Sequence, residues 1–202
     1  MNKGILYVVS APSGCGKGTI LEAVLKNNPN IFYSVSATTR NAREGEKNGV
    51  NYYFHTKEEF EELINSNGML EHACFCENYY GTPRKQVEEK LAQGKDVILE
   101  IETNGAMQIR KNCPEAVLIF ILPPSVKELY RRLNKRGTES EDVIEKRVSQ
   151  AEGEIKKAIN YDYILVNGEL QDAIDDFESI IRATKLTTNN NINKINEVLE
   201  NA

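Results

Sequence analysis

Histidine and cysteine are scarce in this chain of 202 residues, with two and four copies. His55 and His72 have no partner at a ligand-like spacing, and we assign them no chemistry. The cysteines are spaced neither as a zinc site nor as a disulfide framework. We interpret Cys74 and Cys76 as small buried side chains on one face of a strand. So few cysteines, without a framework, favour a reducing compartment, and we expect a cytoplasmic protein.

Long apolar runs and an excess of positive charge are also missing. The longest strictly apolar run, residues 116–122, is far too short to cross a bilayer. The net charge of -5 argues against a protein that holds nucleic acid by neutralising many phosphates. With 13 glycines and 6 prolines, the composition supports neither a disordered nor a fibrous chain. We expect one compact unit that meets any anionic ligand with local cations.

Short β-rich runs alternate with helical patterns along the chain. The runs are residues 5–10, 32–36, 97–101, 117–122 and 163–166. Near-continuous apolar strands separated by helices predict an α/β fold with a parallel sheet covered on both faces. The Asn-rich tail from residue 187 to 202 has a low-complexity pattern, and we predict a terminal helix without a catalytic role.

Several helix ends are marked by capping signals. Thr56, Ser125 and Thr138 are each followed three residues later by glutamate, as in a capping box. Gly94 and Gly137 are placed to end helices.

A glycine-rich segment joins the first predicted strand to the first predicted helix, which is the context of a phosphate-binding P-loop. Its glycines let backbone N–H groups surround an anion, and Lys17 can reach the β- and γ-phosphates. Two positions depart from the usual pattern, Ala11 and Gly18, so a Mg²⁺ contact would fall to Thr19, directly or through water. A glycine-rich turn with an exposed lysine is the structural alternative. The predicted ATP-binding residues are Ala11, Pro12, Ser13, Gly14, Cys15, Gly16, Lys17, Gly18 and Thr19. We further hypothesise that amide dipoles and Lys17 favour the Cys15 thiolate.

From about residue 5 to 185 the chain resembles the guanylate kinase family. The motifs that carry the resemblance are Ser34-Val35-Ser36-Ala37-Thr38-Thr39-Arg40, Arg43-x-Gly45-Glu46, Gly49-x-x-Tyr52, Glu71-x-x-x-Phe75 and Asn78-Tyr79-Tyr80-Gly81-Thr82-Pro83. The resemblance implies a P-loop kinase fold with a core (1–33, 94–124, 160–186), an inserted GMP-binding subdomain (34–93) and a helical lid (125–159). It implies Mg²⁺-dependent transfer of the γ-phosphoryl group of ATP to GMP, in purine nucleotide metabolism. For the oligomeric state, a monomer and a homodimer stay open as alternatives.

The resemblance also assigns roles to the acceptor site. The GMP phosphate would be held by Arg40, Arg43, Tyr52 and Tyr80, and the guanine base would be recognised by Ser36, Glu71 and Thr82. Arginine forks match phosphate oxygens, and a glutamate can accept both N1–H and N2–H of guanine, which AMP does not offer. Glu102 stands where the family usually has aspartate, and we include it among the GMP-binding residues. Thr82 before Pro83 also fits a helix N-cap, and the tyrosines also fit a pleated strand face.

Arginines of the predicted lid would close over the ATP phosphates. We select Arg136 and Arg147 as catalytic residues together with Lys17, and place Arg131 and Arg132 on a solvated helix face. A further departure, Gly168, stands near the expected adenine side where the family tends to have aspartate. Two other functions compete: phosphorylation of a different small phosphate ester, and an interaction module that keeps the fold but has lost catalysis. The complete set of Ser36, Glu71 and Thr82 disfavours the former.

Overall fold

The computed structural model describes residues 3–135 and 140–200. The strands are β1 (Leu6–Ser10), β2 (Phe32–Tyr33), β3 (Ala37–Thr38), β4 (Tyr53–Phe54), β5 (Met69–Phe75), β6 (Asn78–Pro83), β7 (Val97–Glu100), β8 (Val117–Leu122) and β9 (Tyr163–Val166). The helices are α1 (Lys17–Asn27), α2 (Lys57–Asn65), α3 (Arg84–Ala92), α4 (Thr103–Asn112), α5 (Val126–Lys135), α6 (Glu141–Lys156), α7 (Leu170–Lys185) and α8 (Thr188–Glu200), and a 3₁₀ turn follows α6 at Lys157–Asn160.

Within the described residues, the central sheet has five strands in the order β2-β7-β1-β8-β9, all parallel. Alternate strand residues enter two different cores, with Val8 in one and Val9 in the other. Both are fully buried because helices cover both faces of the sheet. The predicted α/β fold with a parallel sheet is therefore confirmed.

The second strand ends earlier than predicted. Its ladder reaches the N–H of Ser34, which donates to Ile98 O at 3.0 Å. By Ser36 the chain has joined another sheet, since Tyr53 N–H donates to Ser36 O at 2.8 Å. The chain therefore leaves the core where the predicted run 32–36 was expected to continue.

A smaller sheet occupies residues 37–83, with strand order β4-β3-β6-β5. Strands β5 and β6 form an antiparallel hairpin, and Cys76 and Glu77 at its turn have φ of 48° and 64°. The predicted burial of Cys74 and Cys76 is wrong, because both are exposed, and only Cys74 lies in a strand. The core below the sheet contains Ala37, Phe60 and Met69.

Helix ends agree with most capping predictions. Thr56 forms a complete capping box at α2, and Ser125 Oγ accepts from Glu128 N–H at 3.1 Å. Gly94 has φ of 75° just beyond α3, a left-handed conformation that suits glycine. Thr138 and Gly137 lie outside the described residues. The N-cap interpretation of Thr82 is wrong, since Thr82 belongs to β6 and the cap of α3 is Pro83.

Helices α5 and α6 pack on the loop between β1 and α1. Their Leu129, Leu133 and Ile144 form a small core with Cys15. Because a glycine stands at position 14, the loop can approach α5 closely: an added Cβ there would lie 2.8 Å from Leu133 Cδ2. No helix in the described part of the chain has the length and apolarity to span a membrane.

Candidate active site

The site begins at the carboxyl ends of β1 and β7, where parallel sheets of this kind bind ligands. After β1, the chain turns through Gly14 and Gly16, whose φ angles of 90° and 81° are left-handed. A side chain at Gly16 would also meet Asn167 Nδ2 at 2.6 Å. Helix α1 begins at Lys17, so its free N–H groups and positive dipole end point into the loop.

All nine predicted ATP-binding residues, 11–19, line one cavity of about 400 Å³. Carboxylates from other elements border the same cavity: Glu100, Glu102 and Glu154. Burial raises the pKa of Glu154, and the charge of Glu102 adds to the effect. Sequence reasoning missed Glu154, because its place on the charged helix α6 resembles an ordinary solvated position.

A second cavity of about 200 Å³ lies beside the first, between the two sheets. It is lined by five of the eight predicted GMP-binding residues: Ser36, Tyr52, Glu71, Tyr80 and Glu102. Lys17 and Glu100 line both cavities, and their Nζ and Oε1 atoms are 3.5 Å apart. The P-loop lysine therefore stands where two ligands would meet.

Glu71 is the buried acid of this second cavity, with 6% of its surface exposed. Thr82 Oγ1 donates to Glu71 Oε1 at 2.7 Å, so Thr82 contacts the cavity through Glu71. Loss of solvent raises the pKa of Glu71 to about 7, opposed by the Thr82 hydroxyl and assisted by the charge of Glu102. At neutral pH this carboxyl is therefore divided between its charged and neutral forms.

Arg40 is not among the residues that line this cavity, but it contacts Tyr52, which is. Its guanidinium forms two hydrogen bonds with Glu46, at 3.0 and 2.9 Å, and lies 5.4 Å from the Tyr52 ring centroid. The Arg40 guanidinium and the Arg43 N–H lower the pKa of Glu46. The Arg43 side chain is exposed, and its backbone N–H donates to Glu46 Oε2 at 2.8 Å. Glu46, which is not among the predicted GMP-binding residues, thus holds the Arg40 side chain and the Arg43 backbone.

Arg147 reaches the P-loop from α6, where its Nη2 donates to the hydroxyl of Ser13. Arg136 lies outside the described residues. The interpretation of Arg132 as a solvated residue is wrong, because it is part-buried and its Nη2 donates to Asn167 O at 3.0 Å. Arg131 is more exposed and pairs with Glu128. The guanidinium groups of Arg131 and Arg132 together lower the pKa of Glu128 to about 2.

Cys15 does not carry a reactive thiolate. Its side chain is 1% exposed and packs against the apolar residues of α5 and α6. Burial raises the pKa of its thiol to about 12, which outweighs the nearby charges of Arg132 and Lys17. The hypothesis of a favoured thiolate is therefore wrong. The Cys15 carbonyl instead has a clear role, accepting a hydrogen bond of 2.6 Å from Asn167 Nδ2.

The cavity lined by residues 11–19 suits Mg²⁺ that arrives with a nucleotide. Among residues 3–135 and 140–200, no cluster of three or more metal-binding side chains could hold an ion alone. Mg²⁺ is usually bound by one or two protein oxygens together with substrate phosphates and water. The Thr19 hydroxyl and the Glu100 carboxylate line the cavity and provide such oxygens.

The comparisons agree with this geometry. The family model described as guanylate kinase matches residues 3–184. A guanylate kinase of Carboxydothermus hydrogenoformans is 52% identical over 186 residues, covering 92% of this chain and 91% of that protein. One of Oceanobacillus iheyensis is 46% identical over 198 residues, covering 98% and 96%. The crystal structure of guanylate kinase from Anaplasma phagocytophilum has a TM-score of 0.74 and 37% identity, covering 93% of this chain and 89% of that one. This chain therefore belongs to the guanylate kinase family.

Proposed function

We propose that this chain, a phosphotransferase of the guanylate kinase family, transfers the γ-phosphoryl group of ATP to GMP, giving ADP and GDP. The observation that carries the proposal is the position of Lys17, which lines both the P-loop cavity and the cavity of Glu71. A phosphoryl donor in one cavity and a monophosphate acceptor in the other would meet at its ammonium group.

The P-loop cavity binds ATP with Mg²⁺. Backbone N–H groups of residues 13–19 surround the phosphates, and Lys17 approaches the β- and γ-phosphates. The Thr19 hydroxyl would hold Mg²⁺, directly or through water, and the ion would supply positive charge to these phosphates. Arg147, already next to Ser13, contributes a second cation from the lid, and Arg136 is proposed from the sequence for the same task.

The other cavity binds GMP. Glu71 accepts the N1–H and N2–H of guanine, with Thr82 and Ser36 completing recognition of the base. Arg40, Arg43, Tyr52 and Tyr80 hold the phosphate, with Glu102 at the inner end of the cavity. AMP lacks the paired donors, and a site built to bond a substrate group rejects analogues without it by about 10⁴-fold or more.

The transfer step needs no strong base. The acceptor phosphate is largely dianionic at neutral pH, since its second pKa is about 6. This chain instead supplies cations that stabilise charge spreading over the transferred group, namely Lys17, Arg147 and Arg136. Closure of the lid over the two nucleotides excludes water and prevents hydrolysis of ATP.

We also propose the wider setting of this reaction. The chain divides into the core, GMP-binding subdomain and lid with the boundaries given above. It acts in the cytoplasm as a monomer or homodimer, on free nucleotides and without nucleic acid. The small number of cysteines, which are not spaced as a disulfide framework, supports a reducing compartment.

A coupled assay for ADP tests the function. The purified protein is supplied with ATP and Mg²⁺ and, separately, with GMP, AMP, CMP or UMP. We expect strong turnover with GMP and background rates with the others. If another monophosphate is turned over faster than GMP, that nucleotide is the acceptor and the proposal for GMP is wrong. If none of the four is turned over, the chain is better explained as an interaction module that has lost catalysis.

A further inference from the structure

Gly105, in the first turn of α4, faces the buried carboxylate of Glu71. A Cβ added at Gly105 would lie 2.5 Å from Glu71 Oε2 and 3.1 Å from Glu71 Cδ. Carbon and oxygen do not approach so closely without bonding, so any side chain here would displace the carboxylate. The other near atom, Ile101 Cδ1 at 3.4 Å, is in ordinary contact.

The backbone around Glu71 cannot retreat from α4, because two amide side chains of the helix hold it. Gln108 forms two bonds with His72, accepting from its N–H at 3.1 Å and donating to its carbonyl at 2.8 Å. Asn112 Nδ2 donates to the carbonyl of Leu70 at 3.1 Å. Strand β5 is the edge strand of the small sheet, so the backbone groups on its outer side have no partner strand. The bonds from Gln108 and Asn112 satisfy some of these groups. Both neighbours of Glu71 are thereby tied to the core.

Glu71 is also held from its other side. Thr82 Oγ1 occupies its Oε1 at 2.7 Å, so the missing side chain of Gly105 provides the space for Oε2. The backbone of Gly105 is helical and does not have a positive φ, so its conformation does not itself require glycine. Space for Oε2 therefore explains this glycine, and neither a turn nor a strained backbone does.

We propose that Gly105 is a positioning residue for base specificity: its lack of a side chain fixes the Glu71 carboxylate between α4 and Thr82, in the orientation that recognises guanine. This role rests on the proposed recognition of the base by Glu71. The end of a glutamate side chain is flexible, so the fold can accommodate a methyl group at position 105. The methyl group instead changes the position of the Glu71 carboxylate in the GMP-binding cavity.

The substitution Gly105→Ala separates these effects. Alanine favours a helix over glycine, so the melting temperature should be unchanged or higher. The KM for GMP should rise at least tenfold, while the KM for ATP stays within twofold of wild type. The preference for GMP over IMP, which lacks the 2-amino group, should fall at least fivefold, because a displaced carboxylate no longer meets both donors.

Gly153→Ala provides the matched control. Gly153 lies in helix α6, and an added Cβ there meets no atom within 4 Å. This variant should keep the wild-type KM for GMP and the wild-type preference over IMP. An unchanged KM for GMP in Gly105→Ala would overturn the positioning role. A lower melting temperature together with a rise in the KM values for both GMP and ATP would also overturn it, because it would indicate general damage to the fold.

Glu71→Ala distinguishes the two levels of the argument. If it leaves the KM for GMP unchanged, guanine recognition by Glu71 is wrong and the role of Gly105 falls with it. If it raises the KM while Gly105→Ala does not, only the role of Gly105 is wrong. In the Glu71→Ala background, Gly105→Ala should add less than twofold, because the carboxylate it would displace is gone.

Discussion

Glu71→Gln tests how the acceptor site recognises its base, because it preserves shape and removes the charge. A hydrogen bond to a charged partner contributes about 1.5–3 kcal/mol, or roughly 13- to 160-fold. The glutamine can accept one guanine N–H, but its own NH₂ group opposes the other. Wild-type Glu71 has a pKa of about 7, so only half of the protein carries the charged form at pH 7. The measured fall in kcat/KM for GMP on substitution is therefore half of what the fully charged form would give. We therefore expect kcat/KM for GMP to fall roughly 6- to 80-fold at pH 7.

The pH profile sharpens this test. In the proposed binding mode GMP needs the charged form of Glu71, so this titration alone should raise kcat/KM of the wild type about tenfold between pH 6 and 8 around a pKa of about 7. The GMP phosphate also titrates, near pH 6, but it does so for both proteins. The ratio of wild type to Glu71→Gln cancels that common change. A ratio that is flat with pH, or a kcat/KM within twofold of wild type, would refute the assigned role of Glu71.

The same carboxyl should also appear in the pH dependence of stability. Folding raises its pKa from 4.5 to about 7, so the stability it contributes is full below pH 4.5 and is lost as pH rises through 7. That shift corresponds to about 3 kcal/mol. Without nucleotide, the free energy of unfolding of the wild type should fall by about 3 kcal/mol more than that of Glu71→Gln between pH 4.5 and 8. Denaturant titrations at several pH values measure this, and parallel pH curves would contradict it.

Other contacts of the site make further predictions. Tyr33→Phe removes a hydrogen bond of 2.6 Å to Glu100, the partner of the P-loop lysine, and should lower kcat about 3- to 10-fold in steady-state assays; a wild-type kcat would show that this bond does not orient the site. Arg147→Ala should lower kcat about 100-fold or more, and Arg147→Lys should restore part of it; a loss confined to thermal stability would contradict its catalytic role. At pH 8 the thiolate fraction of Cys15 is on the order of one in ten thousand, so iodoacetamide should modify exposed Cys74 first, as mass spectrometry can show.

Local sequence patterns were sufficient to predict the central sheet and the P-loop. Apolar runs of strand length and the capping box at Thr56 depend on neighbours within a few residues, so their structure is legible in the sequence. The glycine spacing of the P-loop likewise predicts its left-handed turns. Those positions cannot change without altering the backbone path, whatever surrounds them.

Contacts between distant segments of the chain could not be predicted from such local patterns. The charge patterns left Arg132 on a solvated face, and the P-loop suggested a reactive Cys15, because neither pattern shows what packs on the residue. Nothing around Gly105 in the sequence indicates a carboxylate 34 positions earlier in the chain.

By itself, the sequence determined the parallel α/β core, the phosphate loop and the family to which the chain belongs, because periodicity and motif spacing act over short stretches of chain. Only the tertiary structure decided which side chains share the two cavities, how far Glu71 is removed from water and which glycine makes room for it. Burial and pKa depend on everything that packs around a group, and that packing joins residues that the chain order keeps far apart.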